Sequence, residues 1–192
     1  MMERLLKLAE KIKDKELREK TVELLKNPKV SNPSMDYKAS DITKTPSWIG
    51  AHHSYKGGLL DHIVSVTELS IMIAEHFTKR YGKKINMDHL IAAALLHDIS
   101  KVFQLKEVKG TFTFSDFLLD HALWTCCELY ARGFPEEVID IVISHGGENI
   151  TSSPRSIEAY ILRKADEMDA TVESFGQAKQ QILLLGEDFF EG

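Results

Sequence analysis

Six side chains able to ligate a transition metal recur along this sequence: His62, His97, Asp98, His121, His145 and Asp166. Neutral imidazole and carboxylate suit iron, manganese, cobalt, nickel and zinc. These residues fall about once per helical segment, mostly near helix ends, and packed helices can aim such groups at one point. Asp98 is the most informative of them. It follows the apolar run Leu90-Ile91-Ala92-Ala93-Ala94-Leu95-Leu96, where a carboxylate is costly to bury unless it is paired or ligated. A histidine taken alone is more often an ordinary hydrogen-bonded residue, and His76 and His89 are read that way.

The order His62, His97-Asp98, Asp166 resembles the H…HD…D signature of the HD-domain metal-dependent phosphohydrolase superfamily. Leu95-Leu96-His97-Asp98-Ile99-Ser100-Lys101 resembles its LLHDIGK core, with Ser100 where glycine is usual, and Ala165-Asp166-Glu167-Met168-Asp169-Ala170 resembles its closing ADxxDA. The segment from His52 to His62 is similar to a sub-group that includes the HD domain of bacterial 3′–5′ exoribonucleases. The whole pattern is similar to the archaeal cyclic phosphodiesterases of methanopterin biosynthesis. The resemblance spans about residues 48–172. It implies an all-α, HD-domain helical bundle in which His62, His97, Asp98 and Asp166 hold one metal. His121 and His145 would join at a second, with Asp98 bridging. The implied cofactor is a divalent transition metal, two ions, with Fe2+ or Mn2+ favoured and Co2+, Ni2+ and Zn2+ as further candidates. The implied substrate is a small pterin-type 2′,3′-cyclic phosphate.

A metal pair about 3.5–4 Å apart activates water for attack on phosphorus, and positive charge around the phosphate stabilises the transition state. Lys101, one turn beyond Asp98, could reach that phosphate. Acid assistance to the leaving alkoxide could come from His52, His53 or Lys101. Adjacent histidines in an extended segment point apart, so one of His52 and His53 is expected in the site. Gly57-Gly58 would let this loop approach a ligand closely. Trp48 and Tyr55 are read as packing residues, with stacking on a heterocycle as the alternative. Two further readings stay open: a nucleotide or oligonucleotide phosphohydrolase, and a di-iron oxygenase of the HD type.

The positioning elements are helical. Apolar residues at helical spacing predict helix over 2–26, split at Asp14 by an N-cap. A loop follows over 27–57, then a helix from Gly58 to Arg80 and a buried central helix from Met87 to Ile99. Alternation over 103–114 with a turn at Lys109-Gly110 predicts a short hairpin. Helices are expected over 116–132, 135–145 and 154–175, with Pro135 and Pro154 in first turns. Cys126 and Cys127 are read as small core residues of the first of these. Ser152, Ser153 and Arg155 would open the last, a place suited to anions. The expected organisation is one HD domain over 1–192, with a helical N-terminal extension and loop at 1–47, a core at 48–172 and a tail at 173–192. In that tail Leu183, Leu184, Leu185, Phe189 and Phe190 would dock on the domain or join copies into a homo-oligomer.

Composition narrows the function classes. With 24 Lys+Arg against 29 Asp+Glu the net charge is −5, which disfavours a nucleic-acid polymer as partner. No apolar run approaches a bilayer span. The two adjacent cysteines exclude a disulfide framework and suit reduced thiols in a cytoplasmic setting.

Overall fold

The computed structural model describes residues 1–146 and 152–187, with side chains of the last helix described as far as Phe175. Helices α1 (Met2–Ala9) and α2 (Lys15–Lys26) are separated at Asp14, whose carboxylate accepts the Leu17 N–H as an N-cap. The break is also held from outside: the backbone N–H groups of Lys13 and Asp14 donate to the two carboxylate oxygens of Asp88. α3 (Gly58–Tyr81) and α4 (Met87–Leu96) begin where the glycine turn and the Asn86 cap predict. Leu90 through Leu96 are all buried. α4 is therefore the central rod, with α1, α2, α3, α7 (Glu136–Ile143) and α8 (Ile157–Glu187) packed around it.

A short α5 (Lys101–Gln104) leads into the antiparallel hairpin β1 (Leu105–Val108) and β2 (Thr111–Phe114), paired Leu105 to Phe114 and Val108 to Thr111. Its turn residues Lys109 and Gly110 have φ of 51° and 83°, the left-handed pair that tight hairpins favour. α6 (His121–Ala131) completes the element set. The expected all-α bundle with a minor hairpin is what the chain forms.

Three boundaries differ from the periodic pattern. α4 ends at Leu96, not Ile99, because Ile99, Lys101 and Phe103 donate to carbonyls three residues back and tighten the chain. α6 starts at His121, not 116, because Asp120 stands in an extended conformation and caps Ala122 and Leu123. α8 starts at Ile157, where Ser156 Oγ accepts the Ala159 N–H, so Ser152, Ser153, Pro154 and Arg155 precede the helix rather than open it. α8 also continues to Glu187, and the boundary expected at 173 falls inside it. The contacts expected of Leu183, Leu184, Leu185, Phe189 and Phe190 lie outside the described residues. Among the described residues no helix is long and apolar enough to cross a membrane.

Candidate metal centre

Asp98 is 1% exposed and lies where four histidines converge. His62 enters from the first turns of α3, His97 from the end of α4, His121 from the first residue of α6 and His145 from just beyond α7. Asp98 Oδ2 lies 3.3 Å from His62 Nε2 and 3.5 Å from His97 Nε2. Its Oδ1 lies 3.4 Å from His121 Nε2 and 3.8 Å from His145 Nε2. Asp166 Oδ1, from α8, closes the first group at 3.0 Å from His62 Nε2 and 3.8 Å from His97 Nε2. The six expected ligands thus form two groups that share Asp98.

Each imidazole is oriented through its other nitrogen. His97 Nδ1 donates to the Ala94 carbonyl at 2.8 Å and His145 Nδ1 to the Val142 carbonyl at 2.5 Å. Both rings thereby satisfy orphan carbonyls at helix ends while their Nε2 atoms face Asp98. His145 is 2% exposed, so its capping bond is buried and part of the site. His62 Nδ1 donates to Asp169 Oδ2 at 2.8 Å, and Ser65 Oγ donates to the other Asp169 oxygen. His121 Nδ1 lies 3.3 Å from Asp120 Oδ2. A partner on the far nitrogen is the usual support of a metal-ligating histidine. Asp169 lies within the closing Ala165–Ala170 motif. Its position three residues after Asp166, on the same helix face, is the signal that it belongs here.

Electrostatics point the same way. Burial alone would depress His62, but Asp166, Asp169 and Asp98 outweigh it and push this imidazole up to about 10. The proton on His62 thus sits among three carboxylates. Burial brings His97 down to about 4 despite neighbouring Asp98, which keeps it neutral and free to ligate. Burial opposes ionisation of Asp98 too, but Lys101 and His97 hold it well below the usual carboxylate range. Among the described residues Asp98 Oδ1 is nevertheless buried without a hydrogen-bond partner, which is costly for a carboxylate. Carboxylate excess, preoriented Nε2 atoms and that orphan oxygen together fit divalent transition-metal ions.

Lys101 is 5% exposed, and its ammonium contacts Asp98 Oδ2 at 2.5 Å. It is a buried partner of the Asp98 carboxylate rather than a residue reaching outward. The expectation that only one of His52 and His53 enters the site is corrected. His53 has φ of 50°, so the segment is a left-handed turn and not an extended strand. Both rings lie against His62, at centroid distances of 4.7 and 5.2 Å, with the two Nδ1 atoms 3.3 Å apart. Glu173, which sequence reasoning did not single out, accepts the His53 backbone N–H at 2.6 Å. Gly57-Gly58 serve the protein's own loop and not a ligand: a Cβ on Gly58 would lie 2.0 Å from the His53 carbonyl oxygen.

Ser100 has a task that glycine could not perform. Its hydroxyl donates to the His121 carbonyl at 2.7 Å and accepts from Thr125 Oγ1 at 2.9 Å. Cys126 is buried as expected, while Cys127 is exposed. Tyr55 is exposed too, its hydroxyl donating to Asp61 at 3.0 Å.

Residues 59–171 match the HD domain family model, and the chain belongs to that family. It is 47% identical over 173 residues to the dihydroneopterin 2′,3′-cyclic phosphate phosphodiesterase of Methanocaldococcus jannaschii, covering 89% of this chain and 70% of that protein. It is also 31% identical over 146 residues to the 3′-5′ exoribonuclease YhaM of Listeria monocytogenes, covering 69% of this chain but 44% of the exoribonuclease. The corresponding Bacillus velezensis enzyme is 28% identical over 174 residues, and the chain spans 54% of its length. No solved structure matches the chain.

Proposed function

We propose that this protein is a metal-dependent phosphodiesterase that hydrolyses a small, pterin-type 2′,3′-cyclic phosphate in the cytoplasm. The observation that carries the reading is Asp98, one buried carboxylate with two imidazole Nε2 atoms facing each oxygen. The identity to the Methanocaldococcus enzyme supports the substrate class. Two divalent ions, Fe2+ or Mn2+ by preference, would supply an activated water and neutralise the phosphate oxygens.

His62, His97, Asp98 and Asp166 are assigned to one ion, and His121, His145 and Asp98 to the other. Lys101 pins the bridging carboxylate and adds positive charge beside the phosphate. His52, half-buried against His62 and backed by His53, is assigned a hydrogen bond to the leaving oxygen; burial brings its imidazole down to about 4, so it stands there neutral. His53 links it to Asp169, whose Oδ2 lies 3.6 Å from His53 Nε2.

The test is metal analysis of the purified protein, followed by a screen of phosphomonoesters, linear diesters and 2′,3′-cyclic diesters with Fe2+, Mn2+, Co2+ and Ni2+. The expected result is turnover of small cyclic diesters and none of linear RNA. Oxygen consumption by a reduced iron form, with no ester hydrolysed, would overturn the hydrolase reading. His121→Ala should lower the metal content from two ions towards one; unchanged stoichiometry would remove His121 from the ligand set.

A further inference from the structure

Two aromatic side chains meet beside the metal centre without belonging to the core. Trp48, in the loop before α3, is half-buried and stands outside the buried apolar cluster. Its indole meets the ring of Phe114, the last residue of β2, edge to face at 5.2 Å and 62°. Phe114 is 49% exposed. Trp48 also lies 6.5 Å from the His121 ring and 5.7 Å from Lys101 Nζ. Among the described residues the indole N–H has no acceptor, so a hydrogen-bond donor is available at the same spot as the aromatic surface. The hairpin that carries Phe114 is tied down just beyond it, since Ser115 donates through its N–H to the Gln104 carbonyl and through its hydroxyl to the Phe103 carbonyl.

We propose that Trp48 and Phe114, set edge to face, form an aromatic corner that clamps the planar heterocycle of the substrate against it and selects substrates that carry such a ring. The inference rests on the cyclic-phosphodiesterase reading. In a pterin 2′,3′-cyclic phosphate a single carbon separates the ring from the cyclic ester. A phosphate held at Asp98 and His121 therefore leaves its ring beside those residues, where Trp48 and Phe114 stand. Every flat heterocycle has a π-face, so stacking selects for an aromatic ring without fixing its identity, and the indole N–H adds one polar contact.

The experiment measures binding of two ligands to the metal-loaded protein by calorimetry: neopterin 3′-phosphate, which carries the ring, and glycerol phosphate, which does not. Trp48→Ala should weaken the neopterin ligand about 5- to 150-fold, the range expected for one stacked ring. Trp48→Phe should restore most of that loss, and Phe114→Ala should reproduce part of it. Glycerol phosphate affinity and metal content should stay unchanged. Equal weakening of both ligands, or an unaltered affinity for the neopterin ligand, would overturn the clamp. Failure of the underlying reading looks different: ring-dependent binding would persist while no cyclic phosphate is hydrolysed. Conversely, equal kcat/KM for pterin and glycerol cyclic phosphates would leave the reading intact and remove the clamp.

Discussion

At the scale of single residues, Asp98 and Asp169 divide the electrostatic work. Asp98 faces all four ligand imidazoles, and Asp169 holds the far nitrogen of one of them, His62. Losing Asp169 leaves every direct ligand in place but frees the His62 ring to rotate and take the wrong tautomer. Asp169→Ala should therefore lower metal affinity about 10- to 100-fold, as removal of such supporting partners does, read by competition with a chelating dye. The cysteines offer a second check. Burial pushes the Cys126 thiol up to about 12, whereas Cys127 is exposed. A thiol reagent at pH 8 should modify one cysteine in the folded protein and two after denaturation; rapid modification of both in the native state would contradict this packing. The ligand types were legible from their spacing along the chain. Asp169 is signalled only by its place three residues after Asp166, and Glu173 and Ser100 carry no signal at all, because an orienting residue is recognised mainly from what it touches.

At the scale of elements, the turn from Ser47 to Gly58 decides whether two histidines reach the site. The turn is held by close backbone approach, with Ser47 N–H donating to the His53 carbonyl at 3.1 Å and Gly58 stacked beneath that same oxygen. Gly58→Ala should destabilise the protein by about 1–3 kcal/mol, the usual cost of overpacking, in chemical denaturation. It should also impair hydrolysis more than metal binding, because His52 and His53 shift while the six ligands remain. Local signals foretold the element starts that depend on a cap or a glycine turn, at Asp14, Gly58 and Asn86. They misplaced the end of α4 and the starts of α6 and α8, where hydrophobic periodicity runs past the point at which a turn or cap takes over. They also treated His52-His53 as extended, since nothing in a dipeptide announces a left-handed φ at a histidine.

At the scale of the whole molecule, α3, α6, α8 and the end of α7 bring imidazoles and carboxylates to the C-terminal end of the central α4. Concentrating Asp98, Asp166 and Asp169 there opposes folding unless positive charge is supplied. Bound metal should therefore stabilise the fold, by about 2.7 kcal/mol at a free concentration one hundred times the Kd. Chelation should lower Tm, and readdition of Mn2+ or Fe2+ should restore it; an unchanged Tm would show that the folded and unfolded chains hold metal equally. The order and spacing of His62, His97-Asp98, His121, His145 and Asp166 determined by themselves the helical class and the family resemblance and marked the candidate ligands, because helical periodicity and residue chemistry are written locally. Only the tertiary structure decided that Asp98 lies between two imidazole pairs, that Lys101 turns inward, that both His52 and His53 enter and that Trp48 faces Phe114. Those outcomes depend on how separate helices and loops approach one another, and packing across the fold leaves no periodic trace in the chain.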